Sequence, residues 1–133
     1  MFTHSQIIAD TMKQGGGTYR ADLRGKAELP DTGYMVGNGK IAQLQLPVTS
    51  PNQITYALDR ASEACVFPNE YVGTWVDNHV MYIDVSLYVA EKFDAIELCR
   101  NHGETAYYDI AKGESVTLPV RLQGLTAKGQ QQQ

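Results

Sequence analysis

The stretch YVGTWVDNHVMYIDV, Tyr71 to Val85, decides the fold class. Two β-rich runs flank Asn78-His79, which reads as the two-residue loop of a hairpin. With that pair at the tip, Asp77 faces Val80, Val76 faces Met81, Trp75 faces Tyr82, Thr74 faces Ile83 and Gly73 faces Asp84. Side chains alternate along a strand, so Val72, Thr74, Val76, Met81, Ile83 and Val85 share one face, the aliphatic core side. The other face holds Trp75, Asp77, Tyr82 and Asp84 and is expected to be at least partly exposed. A slip of one residue would exchange the two sets, so the sorting depends on the turn.

Upstream, Thr3-His4-Ser5-Gln6 has the form of a capping box and opens a short helix bearing Ile7, Ile8 and Met12. Gly15-Gly16-Gly17 ends it, because three glycines lose too much backbone entropy in a helix. Residues 18–33 read as a wrapping loop with room for a short strand, and with a turn at Pro30-Asp31-Thr32-Gly33. Tyr34-Met35-Val36 is a brief strand that Gly37-Asn38-Gly39 should break, and Lys40 to Leu46 is a second strand stopped by Pro47. Ser50 as cap and Pro51 at the first helical position begin a helix with Ile54, Ala57, Leu58, Ala61 and Cys65 on one stripe. Downstream of the hairpin, a helix is expected over Val89 to Asn101, with Val89, Phe93, Ile96 and Cys99 inward and Gly103 as its left-handed stop. Thr105 to Ile110 is a strand whose inward face is expected to be Ala106, Tyr108 and Ile110. Glu114 to Val120 is an edge strand, since Pro119 cannot donate to a ladder.

The order is that of an α+β protein. The reading is a ferredoxin-like βαββαβ core with an extra N-terminal helix and an additional C-terminal edge strand. Residues 1–126 are expected to form a single domain, and the Gln-rich segment 127–133 a flexible tail. That topology would leave one sheet face open, the one carrying the rings and carboxylates.

Composition bounds the function classes. The chain has 133 residues, 43% hydrophobic and 20% charged, as in an ordinary globular protein. No apolar run reaches the roughly 18–20 residues of a membrane span, and the N-terminus lacks a basic region before its apolar part. The expected location is therefore cytoplasmic, with no membrane partner. Residues 59–114 carry eleven acids against four bases, while the remainder carries four acids against seven bases. That field favours basic partners and repels phosphate backbones.

Catalytic signals are weak. His79 sits at a hairpin tip and His102 at a helix C-terminus, where a polar or partly positive ring is at home without any catalytic role. Cys65 and Cys99 read as small buried hydrophobes. No Cys-x-x-Cys, His-x-x-x-His or Gly-x-Ser-x-Gly occurs, and GYMVGNG at 33–39 lacks the Lys-Ser/Thr of a phosphate cradle. No cofactor, metal or catalytic residue is assigned. RNA-binding domains use the same plait with open-face aromatics, but the first strand here offers no ring and the domain is acidic, so nucleic acid is not expected.

The candidate site is thus a protein-docking face made by Trp75, Asp77, Tyr82, Asp84, Tyr107 and Asp109. Trp and Tyr are over-represented among interface hot spots. The rival is a small enzyme or ligand-binding protein with a pocket where the N-terminal helix meets the sheet, using Tyr19, Arg20 or His102. A third arrangement has Met12, Tyr19 and Arg20 folding over the rings and burying them.

The segments TGYMVGNG (32–39), YVGTWVDNHVMYIDVS (71–86) and ETAYYDIAKGESV (104–116) resemble a family of small proteins of actinobacterial mobile elements and prophages. The likeness spans about residues 17–118. It implies an accessory-protein setting and supplies no catalytic residues. Small acidic proteins of that setting often inhibit host defence enzymes, so the expected partner is a basic host nucleic-acid enzyme.

Overall fold

A computed structural model of the protein describes residues 3–45 and 51–122. The chain is α+β, with three α-helices and six strands among the described residues. In chain order these are α1 (His4–Gln14), β1 (Gly16–Tyr19), β2 (Tyr34–Gln45), α2 (Pro51–Ala64), β3 (Glu70–Asp77), β4 (Val80–Val89), α3 (Lys92–His102), β5 (Ala106–Asp109) and β6 (Glu114–Thr117). A short 3-10 turn, Val120–Leu122, follows. The strands hydrogen-bond in the order β1-β3-β4-β2-β5-β6, and the β1–β3, β2–β5 and β5–β6 pairs are antiparallel. This order differs from the expected plait, because β1 adds a strand at the edge opposite β6. The expected cap at Ser50, the stop at Pro47 and the tail at 127–133 lie outside the described residues.

The chain divides into two compact units, Met1–Glu28 with Lys40–Ser86, and Leu29–Gly39 with Leu87–Gln133. In the first, α1 begins with the capping box: the Thr3 hydroxyl accepts from the Gln6 amide, and the Thr3 amide donates to Gln6 Oε1 at 2.7 Å. Gly15 closes the helix at φ 88°, a left-handed value that glycine adopts without steric cost. The glycines that stop α1 then open β1, which runs into the region read as a wrapping loop with room for a short strand. A Cβ on Gly16 would lie 2.9 Å from the Thr74 carbonyl oxygen, so only glycine lets β1 run this close to β3. Ile7, Tyr19, Leu44, Leu58, Val72, Met81 and Ile83 are at the centre of this unit's core. The His4 ring meets the Asp59 carboxylate at 3.0 Å, linking α1 to α2.

The second unit has its own core of Val36, Ala95, Cys99, Tyr107 and Leu118. Here three expectations are corrected. Gly37-Asn38-Gly39 does not break the strand, since β2 runs unbroken from Tyr34 to Gln45. The helix starts at Lys92, leaving Val89 in β4 and Phe93 70% exposed, with Ala95 and Cys99 as its buried residues. The strand β5 has the opposite phase from that expected: Tyr107 is buried and Tyr108 exposed. The Tyr107 ring packs edge-on against Tyr34 with centroids 5.5 Å apart, a geometry aromatic pairs favour. Gly103 stops α3 in the left-handed conformation as expected.

Candidate functional site

The hairpin of the first unit takes the expected form. Asn78 and His79 both have positive φ, 53° and 62°, the backbone a two-residue loop of this hand requires. The ribbon is therefore two-sided. Val72, Thr74, Met81, Ile83 and Val85 are buried and Val76 is half-buried.

What covers that aliphatic side is α1 together with α2. Ile7 and Thr11 of α1 are fully buried, and the Thr11 hydroxyl lies 2.6 Å from that of Thr74. Ala57, Leu58 and Ala61 of α2 join the same core. The N-terminal segment therefore packs on the face opposite Trp75 and Tyr82 and does not bury them.

On that other face Trp75 stacks on Tyr82, with ring centroids 4.2 Å apart and planes 16° from parallel. This is the cross-strand pair the register demands, and such a pair is worth about 0.5–1.5 kcal/mol beyond its area. The stack leaves Trp75 41% exposed. Asp77, two residues along β3, is exposed. Asp84 departs from the expectation of an exposed acid. It is buried, lying with Ser86 over Gly73, and Ser86 Oγ donates to its Oδ1 at 3.2 Å. A Cβ on Gly73 would sit 2.7 Å from Asp84 Oδ1, so the bare glycine makes the room the carboxylate occupies.

Two expected members drop out. Tyr107 belongs to the core of the second unit, where its ring has no surface to offer. Asp109 is half-buried and its carboxylate accepts from the Lys112 amide at 3.2 Å, shaping the turn into β6. The pair Tyr107-Tyr108 misled the phase because both residues are aromatic and either could have been the inward one.

Of the residues expected to line the alternative pocket, Tyr19 and Arg20 belong to the first unit and His102 to the second. Tyr19 is fully buried and, with Ile7 and Thr11, fills the space between α1 and the sheet. Its hydroxyl donates to Asp10 Oδ2 at 2.6 Å, and Lys26 Nζ lies 3.1 Å from the same carboxylate oxygen. Burial first, then the Asp10 contact, push the phenol up to about 12. The Asp10 carboxyl is held below its usual range, chiefly by the Tyr19 hydroxyl, with burial opposing and Lys26 adding to the effect. A phenol held protonated in this way serves as a structural donor and is poorly suited to act as a base near neutral pH. Arg20 is exposed and pairs with Asp22 at 2.7 Å, and His102 is exposed on the last turn of α3.

The cysteines behave as buried apolar groups. Cys99 is fully buried and Cys65 packs against the first unit's core. Both thiols are pushed up to about 11, by burial first and by Glu104 or Glu70 second. Among the described residues, no three His, Cys, Asp or Glu side chains gather so as to hold a metal ion, and no helix is long and apolar enough to cross a membrane.

One polar residue of consequence was not singled out from sequence. Glu70 is 93% buried and its Oε1 accepts from the amides of Val66 at 2.6 Å and Phe67 at 2.8 Å. It braces the loop between α2 and β3, and its sequence signal is a charged residue just ahead of the β-rich run Tyr71 to Val76. No family model, no curated protein and no solved structure matches the chain.

Proposed function

We propose that the protein is a non-enzymatic interaction module that docks a basic protein partner on the Trp75–Tyr82 face. The observation that carries this reading is the exposure of Trp75 on the sheet, stacked on Tyr82, while both helices of its unit cover the opposite side. A large ring already fixed by its neighbour loses little conformational freedom on binding, which favours it as an anchor. The exposed Asp77 and the acidic excess of residues 59–114 favour a basic partner and disfavour nucleic acid. The working surface on this reading is Trp75, Tyr82 and Asp77, with Asp84 beneath it.

The same proposal includes the setting and the finer fold. The resemblance to accessory proteins of actinobacterial mobile elements supports a cytoplasmic role against a host nucleic-acid enzyme. The inner strands β3-β4-β2-β5, with α2 and α3 as the connecting helices, support a ferredoxin-like core inside the larger sheet.

The test is capture from host lysate with wild-type protein and with the double variant Trp75→Ala, Tyr82→Ala. The variant should lose the captured partner while keeping the wild-type circular dichroism. A folded double variant that retains the partner would sink the docking face.

A further inference from the structure

We propose that the bare flank of the Trp75 indole is a stacking slot for an arginine guanidinium of the partner. This rests on the docking reading above and deepens it by naming the chemical group recognised.

The argument is geometric first. β3 lies between β4 and β1. Tyr82, on β4, covers one face of the indole with nearly parallel planes. The other face is therefore turned toward β1, where the residue directly opposite Trp75 is Gly16. Any other residue there would raise a side chain beside the indole; glycine leaves only backbone. A Cβ on Gly16 would already stand 3.3 Å from the Trp75 Cβ, which shows how near the missing side chain would be. The next position of β1 on this side is Thr18, opposite Gly73. β1 is the edge strand, so the slot opens sideways to solvent. Its floor is Gly16 backbone, its wall is indole, and 41% of Trp75 remains accessible.

The chemistry follows from shape and charge. A slot beside a single flat wall selects a planar group. Asp77 stands two residues along β3, a backbone rise of about 7 Å, and its side chain is exposed. A planar cation satisfies both, stacking on the ring while its N–H groups reach the acid. Guanidinium fits, because it is flat, weakly hydrated and carries donors in its plane. A lysine ammonium has the charge without the plane. A nucleobase has the plane but brings phosphates into an acidic field.

Trp75 is the sole tryptophan, so its emission reports the slot directly. The experiment titrates the full chain with a blocked hexapeptide of alternating glycine and arginine and with its lysine counterpart, following emission and heat. The arginine peptide should bind about fivefold or more tighter than the lysine peptide and shift the Trp75 emission. In Asp77→Asn both peptides should weaken together. In Trp75→Leu, followed by heat alone and checked by circular dichroism, the arginine preference should vanish. Equal binding of the two peptides by wild type would overturn the guanidinium slot and leave a merely acidic face. No peptide binding, with host capture still lost in the ring double variant, would also overturn the slot while the docking reading stands. Host capture unaffected by that variant would remove both.

Discussion

Replacing Tyr19 by Phe removes one oxygen atom from the centre of the first unit, and the consequences are calculable at both ends of the pH scale. The hydroxyl is buried and donates to the Asp10 carboxylate at 2.6 Å. A hydrogen bond to a charged group is worth about 1.5–3 kcal/mol, but Asp10 keeps Lys26 at 3.1 Å and a side chain 22% exposed, so water can replace part of the loss. The expected cost near pH 7 is about 1–2 kcal/mol. At alkaline pH the sign reverses. The folded phenol loses its proton at about 12 and the unfolded one near 10, so between those values the unfolded chain binds fewer protons and wild-type stability falls as pH rises. Two units correspond to roughly 2–3 kcal/mol, which Tyr19→Phe does not lose. The two stability curves should therefore converge above pH 10 and cross before pH 12. On the acid side, the lowered Asp10 pKa gives stability that is present above its unfolded value of 3.8 and lost as pH falls through the folded one. The variant should lose less there. Urea unfolding followed by far-ultraviolet circular dichroism, run on both proteins from pH 3 to 11.5, measures all of this. A wild-type advantage that stays constant from pH 8 to 11.5 would refute the buried, Asp10-bonded phenol.

Other perturbations have equally definite outcomes. Gly73→Ala places a methyl 2.7 Å from Asp84 Oδ1 and should cost about 1–3 kcal/mol in urea unfolding, with partial relief when Ser86→Ala is added. Leu58→Ala empties a fully buried site in the first core and should cost about 2–5 kcal/mol by the same measurement. Glu70→Ala strands the amides of Val66 and Phe67, so hydrogen exchange there should accelerate, with a stability loss of about 1–3 kcal/mol. With a thiol near 11 in place of 9.0, Cys99 should react with iodoacetamide at pH 8 about a hundredfold more slowly than an unfolded-chain cysteine, followed by mass spectrometry.

The hairpin was readable because two independent signals coincide in it. Asn78-His79 tolerates positive φ, and Trp75-Val76-Asp77 and Met81 to Val85 alternate between aliphatic and ring or acid. The capping box of α1 and the glycine stop of α3 were readable for similar reasons, each being a local hydrogen-bonding or backbone demand met by one residue type. β1 was hidden because alternation needs side chains, and Gly16 and Gly17 have none; what recruits them is the close approach of β3. The phase of β5 was lost because Tyr107 and Tyr108 satisfy either assignment until Tyr34 is seen to claim one of them. In α3 the spacing of Val89, Phe93, Ile96 and Cys99 suits a helix, yet Val89 is taken by β4, a competition no local window can show. Of the candidate site, Trp75, Tyr82 and Asp77 stand where alternation put them, and Asp84 sank because Gly73 opposite it offers a hollow. Gly16, which frames the indole, carries no side chain to notice.

Each compact unit is stitched from two separated lengths of chain, one before and one after the other's insertion. During synthesis the segment Leu29–Gly39 must wait for Leu87 onward before its own core can close, some fifty residues later. At about 5–20 residues per second that delay is on the order of several seconds, since the core partners of Val36, namely Ala95, Cys99, Tyr107 and Leu118, all lie beyond Leu87. A nascent chain of this design offers a window for chaperone capture, and neither half can be cut out as one uninterrupted fragment with its interior intact.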